Sequence, residues 1–158
     1  MEKEEETEEL IQELNQSFKK MDNIYYELAK NSGLSDTAFW IIYTIKNEKE
    51  AYQQKDLCIM WSYSKQTINS ALKKLEEQDI IKLVTVPNNK KDKKIILTEY
   101  GEKIAKKFIE PVNVIERMAL NKIKEKRQFV HLFKEYIEEM NQETNQFIKR
   151  QEEVWKQS

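Results

Sequence analysis

Turn-forming and cross-linking residues are scarce in this sequence. Its 158 residues include two glycines, two prolines and one cysteine. A barrel or sandwich needs many turns, which use glycine and proline, so the composition favours long helices with few connections. The single cysteine, Cys58, cannot form an internal disulfide or a thiolate metal site alone. With one histidine, His131, and no glycine-rich phosphate loop, we expect no enzyme, no cofactor and no metal site.

Long apolar runs are missing as well. No run of about 18 apolar residues could span a bilayer, and the acidic N-terminus lacks the apolar core of a signal peptide. We therefore expect a cytoplasmic protein without a membrane partner. The length suits a single domain over residues 1–158.

The charge is distributed unevenly along the chain. The net charge is −1, which alone argues weakly against nucleic acid. From Ser64 to Lys94, however, eight lysines stand against four acids, a net charge of +4 that leaves −5 for the remainder. A basic segment within an acidic protein favours a DNA-binding function more than the total charge suggests.

Apolar spacing predicts a mainly α fold with a small β-hairpin. Apolar residues recur every three or four positions in most of the chain, with Gly33 expected to end the first helix and Pro111 to kink a later one. We expect Ser35, Ser64 and Thr98 to cap helices. The predicted helices cover 7–31, 36–47, 54–61, 65–78, 99–123 and 126–155, and β-branched residues predict strands over 80–86 and 95–97 around a six- or seven-residue tip.

The helix over 65–78 has two chemically different faces. Its predicted inward face carries Ile68, Ala71, Leu72 and Leu75. The amide, hydroxyl and lysine side chains of the opposite face can bond base edges in the major groove, and hydroxyls at the helix start can meet a phosphate. The predicted DNA-contacting residues are Ser64, Lys65, Gln66, Thr67, Asn69, Ser70 and Lys73.

The predicted hairpin tip is the second candidate contact with DNA. Four lysines on a short loop are either solvated or placed against a polyanion, along the backbone or in the minor groove. A polar helix face or a basic loop alone is ordinary, but a short helix, a turn, a polar-faced helix and a basic hairpin in that order predict binding to duplex DNA. The tip residues concerned are Lys90, Lys91, Asp92, Lys93 and Lys94.

Three motifs in order carry a family resemblance. They are Gln53-Gln54-Lys55-Asp56-Leu57, the run from Ser64 to Glu76, and Asp92-Lys93-Lys94 followed by Leu97-Thr98-Glu99-Tyr100-Gly101. Together they resemble the MarR family of bacterial regulators, whose fold is a winged helix-turn-helix flanked by N- and C-terminal dimerisation helices.

The resemblance implies an obligate homodimer on a pseudo-palindromic site. It places the DNA-binding lobe at 36–98 and the dimer interface in 7–31 and 99–155, and a two-fold dimer spaces its recognition helices by roughly 34 Å. Three positions depart from the family pattern. Lys94 replaces the wing arginine, which weakens minor-groove discrimination, while Ser62 and Asp79 stand where turn glycines are usual.

An effector pocket and a redox role are further possibilities. Relatives often bind small aromatic anions between the dimer helices and the DNA-binding lobe, and Tyr25, Trp40 and Tyr43 could line such a pocket. Plain core packing is the simpler interpretation of these rings, with Phe39, Ile42 and Tyr43 forming the buried face of their helix. Cys58 is expected to be a buried structural thiol and not a redox sensor.

The main hypothesis is therefore a homodimeric, sequence-specific regulator of transcription, a repressor that a small aromatic or anionic effector releases from double-stranded DNA. The alternative is a winged-helix module that acts through protein contacts, a hypothesis motivated by Lys94 and the acidic net charge.

Overall fold

Seven helices and one hairpin follow one another along the described chain. The structure is a computed structural model that describes residues 2–47, 53–86 and 89–157; the side chains of 2–3, 86, 89–92 and 156–157 lie outside this description. The predicted mainly α fold with a small hairpin is confirmed. In order, the elements are α1 (Glu2–Ser32), α2 (Asp36–Asn47), α3 (Gln54–Trp61), α4 (Lys65–Glu77), β1 (Ile81–Val86), β2 (Asn89–Leu97), α5 (Glu99–Phe108), α6 (Glu110–Lys122) and α7 (Lys126–Gln157).

The chain divides into two compact units. The first, Met1–Asn113, contains α1 to α5, the hairpin and the start of α6. The second, Val114–Ser158, contains the rest of α6 and α7. No helix of the described residues is long and apolar enough to cross a membrane. The expectation of one domain with separate lobe and dimer regions stays a prediction.

The predicted helix caps form. The Oγ atoms of Ser35 and Ser64 accept hydrogen bonds from the amides of Ala38 at 3.3 Å and Thr67 at 3.0 Å. Thr98 Oγ1 accepts one from the amide three residues on, also at 3.0 Å. These bonds satisfy backbone donors that a helix start otherwise leaves unpaired. The caps fix where α2, α4 and α5 begin.

The described residues of the first unit form one apolar core. The four predicted inward residues of α4 are all buried, and α2 adds Phe39 and Ile42 together with Ile41, which the sequence analysis did not place inside. From α1 only the C-terminal part joins, with Ala29 buried and Tyr25 and Leu28 packed against the core. Fully buried side chains from the remaining elements are Leu57, Ile81, Ile95, Ile109 and Val112.

Two turns adopt a left-handed backbone without glycine. Ser62, after α3, has φ 53°, and Asp79, after α4, has φ 55°. These are the two positions where the family resemblance predicts glycine, so the structure shows why glycine suits them. Gly33, the predicted end of α1, has φ +72°.

The hairpin corrects one expectation. The predicted tip of six or seven residues is wrong, because β2 begins at Asn89 and pairs with Val86, which leaves only residues 87–88 between the strands. Those two residues lie outside the described part of the chain. Lysines have low strand propensity, yet an antiparallel ribbon pairs through its backbone, so Lys93 and Lys94 pair with Thr85 and Val84. The register shifts between Thr85 and Val86, and residues 90–92 of β2 have no partner in it.

The start of α5 packs closely against the end of the turn before β1. A Cβ atom added to Gly101 would lie 2.0 Å from the backbone oxygen of Ile80, so only glycine fits there. The amide of Thr98 donates to the same oxygen at 3.1 Å.

The helix predicted over 99–123 is interrupted at Ile109, between α5 and α6, two residues before Pro111. The sequence analysis predicts a kink at this proline, and the structure divides the predicted helix into α5 and α6 there.

Candidate nucleic-acid interface

Helix α4 presents a polar face to solvent. Ile68 and Leu75 on its inner side are completely buried, which fixes the rotation of the helix about its axis. The opposite side chains are all exposed, and the only ion pair on this face among the described residues joins Lys73 Nζ to Glu77 at 3.8 Å. Such an exposed pair is weak. The exposed face consists of Lys65, Gln66, Asn69, Ser70 and Lys73, as predicted.

The two hydroxyls at the start of α4 interact with each other. Ser64 Oγ and Thr67 Oγ1 are 2.7 Å apart, and Ser64 Oγ also accepts the Thr67 amide. Both residues remain exposed. The hydroxyls that the sequence analysis offered to a phosphate are therefore already hydrogen-bonded to each other.

The hairpin lysines lie on two faces of the ribbon. Lys93 pairs with Thr85 and shares its face with Ile95, which is buried. Lys94 pairs with Val84 on the opposite face, and both are exposed. The two lysines thus point to different sides. The side chains of Lys90, Lys91 and Asp92 lie outside the description.

A groove of about 770 Å³ lies between α3, α4 and the hairpin. Its apolar lining includes Leu72, Leu83 and Ile95, and its lysines come from all three elements. Three of its residues, Lys65, Asn69 and Lys73, belong also to the exposed α4 face. The sequence analysis missed the α3 wall of this groove, because residues that meet only in the folded lobe show no common spacing. That wall consists of Gln54, Lys55, Cys58 and Ile59, next to Gln53.

Aromatic rings join α1, α2 and α3 elsewhere in the same unit. The centroid of Trp40 lies 4.8 Å from that of Tyr25, 5.3 Å from Tyr43 and 4.4 Å from Trp61. Trp61 Nε1 donates to the buried Thr44 hydroxyl at 2.8 Å. The three residues predicted for an effector pocket are thus brought together, but as rings in mutual contact that pack on the core.

Polar contacts connect the end of α2 to both sides of the α5–α6 break. Lys46 Nζ lies 2.8 Å from a Glu102 carboxylate oxygen and 3.3 Å from a Glu110 oxygen. The hydrogen bond that Lys46 donates to Glu102, and the contact with Glu110, raise the pKa of Lys46 despite its partial desolvation. The side-chain amides of Asn47 and Asn113 bond each other reciprocally.

The isolated candidates for other chemistry do not assemble into a site. Cys58 is half-buried at the groove and not fully buried as expected. The His131 side chain is exposed on α7. Within 2–47, 53–86 and 89–157, no group of three or more His, Cys, Asp or Glu side chains could hold a metal ion.

Comparison with known proteins identifies the segment that carries the groove. Residues 32–92 match the model of the MarR family. This central lobe is similar in sequence to the MarR family. The MarR family consists of transcriptional regulators, and its winged helix matches the arrangement of α2, α3, α4 and the hairpin. A comparison with curated protein sequences finds no match.

Solved structures share the fold well beyond that segment. A MarR transcription regulator from Oenococcus oeni PSU-1 has a TM-score of 0.68 at 18% identity, covering 84% of this chain and 98% of its own. A MarR family regulator from Neisseria meningitidis has a TM-score of 0.67 at 23% identity, with coverage of 84% and 96%. A MepR variant from S. aureus, bound to an oligodeoxyribonucleotide, has a TM-score of 0.53 at 14% identity, with coverage of 83% and 94%.

Proposed function

We propose that the chain acts in the cytoplasm as a homodimeric repressor that binds a pseudo-palindromic site in duplex DNA. The observation that carries the proposal is the exposed polar face of α4, held outward by its completely buried opposite face. Gln and Asn can bond adenine bidentately and Lys can reach guanine, so this face has the chemistry of direct base readout. The MepR variant of the same fold is bound to DNA, which supports this assignment.

The homodimer rests on the exposed apolar faces of the outer helices. On α1, Leu10, Met21 and Ile24 are more than half exposed, and α7 exposes Phe147 and other large side chains to a similar extent. Apolar surface of this extent marks a protein interface on a chain that remains in solution. A two-fold dimer would present two α4 faces to successive major grooves.

The DNA proposal is tested by selection of binding sites from a random duplex pool with the purified full-length protein. We expect enrichment of a two-fold symmetric motif. Asn69→Ala should then weaken binding to the selected duplex about ten- to hundredfold and relax one base position in each half-site. Asn145→Ala, the matched change on the exposed face of α7, should leave affinity unchanged. Failure to enrich any sequence, with no shift of duplex at low salt, would overturn the proposal.

The DNA-binding measurement, combined with a pull-down of protein partners, separates the alternative function from the main one. A lobe that acts through protein contacts would retain a captured partner after Gln66 and Asn69 are replaced, and would not bind DNA at any salt concentration. The Lys94 substitution at the wing and the net charge of −1 are the observations that favour it.

An effector is proposed at the Trp40 ring cluster. A small aromatic anion that enters between Tyr25 and Tyr43 would separate the rings and quench the Trp40 emission. Benzoate is a suitable probe, with the variant Trp40→Phe as the control for the other two tryptophans. Benzoate that neither quenches Trp40 nor lowers DNA affinity at millimolar concentration contradicts an effector of this chemistry.

A further inference from the structure

The first turn of α4 is held differently from the rest of the helix. Ile68 is the first α4 residue that is buried, and Lys65, Gln66 and Thr67 before it are all exposed. Core packing therefore fixes α4 from Ile68 onward, where Asn69 lies. The first turn carries two residues of the polar face, Lys65 and Gln66, and depends for its position on the turn that precedes the helix.

That preceding turn is tied to the start of α2. Tyr63 lies between Ser62, whose backbone is left-handed at φ 53°, and Ser64, which caps α4. The Tyr63 side chain packs against the core, and its hydroxyl donates a hydrogen bond of 2.6 Å to the carboxylate of Asp36, the first residue of α2. The side chain of Thr37 also hydrogen-bonds this hydroxyl. The turn before α4 is thus anchored on a helix outside the α3–α4 pair.

A second hydrogen bond reaches the first turn of α4 from α3. The side-chain amide of Gln54, the first residue of α3, donates to the backbone oxygen of Lys65 at 3.3 Å. This bond is long, whereas the bond from Tyr63 is short and ends on a carboxylate. Because hydrogen bonds to charged groups are the stronger kind, Tyr63 is the main tether of the turn.

We propose that Tyr63 is a positioning residue for base recognition, which acts through its bond to Asp36 by holding the first turn of α4 where Gln66 meets a base edge. The inference rests on the proposed function. A binding site of this kind tolerates displacements of only about 0.5 Å and 10–20°. Loss of the bond would let the first turn move, while Asn69, next to the buried Ile68, would keep its place.

The inference is tested by repeating the site selection with Tyr63→Phe in the full chain. Binding to the selected duplex should weaken about three- to tenfold, less than the loss of a whole base contact. The base preference should relax at the position that Gln66→Ala also relaxes, and not at the position that Asn69→Ala relaxes. The slope of log affinity against log salt from 50 to 200 mM should not change, because no phosphate contact is removed. Tyr100→Phe, the same change at an exposed position on α5, should alter neither quantity.

Two changes at Asp36 separate the bond from a general loss of stability. Asp36→Ala should weaken binding and relax the same base position as Tyr63→Phe, and the two changes together should cost little more than either alone, since both remove one bond. Asp36→Asn keeps an oxygen that accepts from the Tyr63 hydroxyl, so it should retain most of the affinity and the full base preference. Anisotropy titrations at a temperature where circular dichroism shows every variant folded measure these affinities.

The outcomes separate this inference from the proposed function. A Tyr63→Phe variant that keeps the full base preference overturns the inference. So does a loss of affinity that is equal on selected and mixed-sequence duplexes, or losses at Tyr63 and Asp36 that add. In each of these cases the proposed function stands if Asn69→Ala weakens binding in the same assay. If the unmodified chain binds no duplex, the proposed function itself fails.

Discussion

The winged lobe and the outer helices use the same apolar periodicity with opposite results. In α4 the stripe ends in complete burial of Ile68 and Leu75, whereas on α7 Phe129, Ile137 and Met140 remain about half exposed. Both patterns predict amphipathic helices, but only the lobe has neighbouring elements within its unit that cover the stripe. The spacing of apolar residues therefore shows which face of a helix is apolar. It does not show whether the same chain or another chain covers that face.

The strongest test of this difference is a charge on the apolar face of α7. We expect Met140→Glu to raise the dissociation constant of the proposed homodimer about a hundredfold or more, because a carboxylate buried in that interface would have no partner. Gln142→Glu adds the same charge two residues away, on the opposite face of the helix, and should leave the dimer intact. Sedimentation velocity over a concentration series measures the dissociation constants of both variants. Equal behaviour of the two variants would place the interface elsewhere.

Within the lobe, the largest effect is expected at Gly101. Gly101→Ala should lower the free energy of unfolding by about 3 kcal/mol, because its Cβ would meet the Ile80 backbone oxygen at 2.0 Å. Gly33→Ala meets no atom within 4 Å and should cost only about 1 kcal/mol through its positive φ. Urea unfolding of both variants gives the comparison. Equal losses would mean that the close approach at Gly101 relaxes.

A smaller effect of opposite sign is expected at the two left-handed turns of the lobe. Ser62→Gly and Asp79→Gly should each raise the free energy of unfolding by about 0.5 kcal/mol, since glycine removes the Cβ strain at φ 53° and 55°. Ser62→Ala keeps a Cβ and should not stabilise. The urea midpoints of the three variants decide this, and a stabilising Ser62→Ala would contradict the strain argument.

The smallest effect concerns alkaline stability of the lobe. Desolvation, and then the hydrogen bond to Asp36 at 2.6 Å, raise the pKa of Tyr63 to about 12. The folded chain therefore keeps this proton after the unfolded chain has lost it, so the contribution to stability is complete below pH 10 and falls between about pH 10 and 12. Tyr63→Phe should make the decline of the urea midpoint shallower over that range. Tyr100→Phe, at an exposed position on α5, is the control, and parallel curves for all three proteins would refute the assignment.

The local chemistry of the lobe was predictable from sequence, and its boundaries were less so. The α4 faces follow from spacing alone, because Ile68 and Leu72 lie one helical turn apart. The start of α1 was placed five residues late, since glutamates without apolar spacing still favour helix. The start of β2 was missed because Asn89 pairs with Val86 across a register shift that no residue pattern predicts. The groove was missed because Lys55 and Lys93 are 38 positions apart and meet only through folding.

The contacts around Lys46 have a consequence for how salt titrations of this protein are interpreted. Added ions that displace a chain from DNA could also weaken ion pairs within the chain. The slope of log affinity against log salt would then reflect both processes. Lys46 is only 24% exposed, and it is held by two carboxylates beside a reciprocal amide pair between Asn47 and Asn113. Partly buried pairs are screened much less than surface ones. The junction between α2, α5 and α6 should keep its geometry from 50 to 200 mM salt, so that the measured slope counts ions released from the nucleic acid.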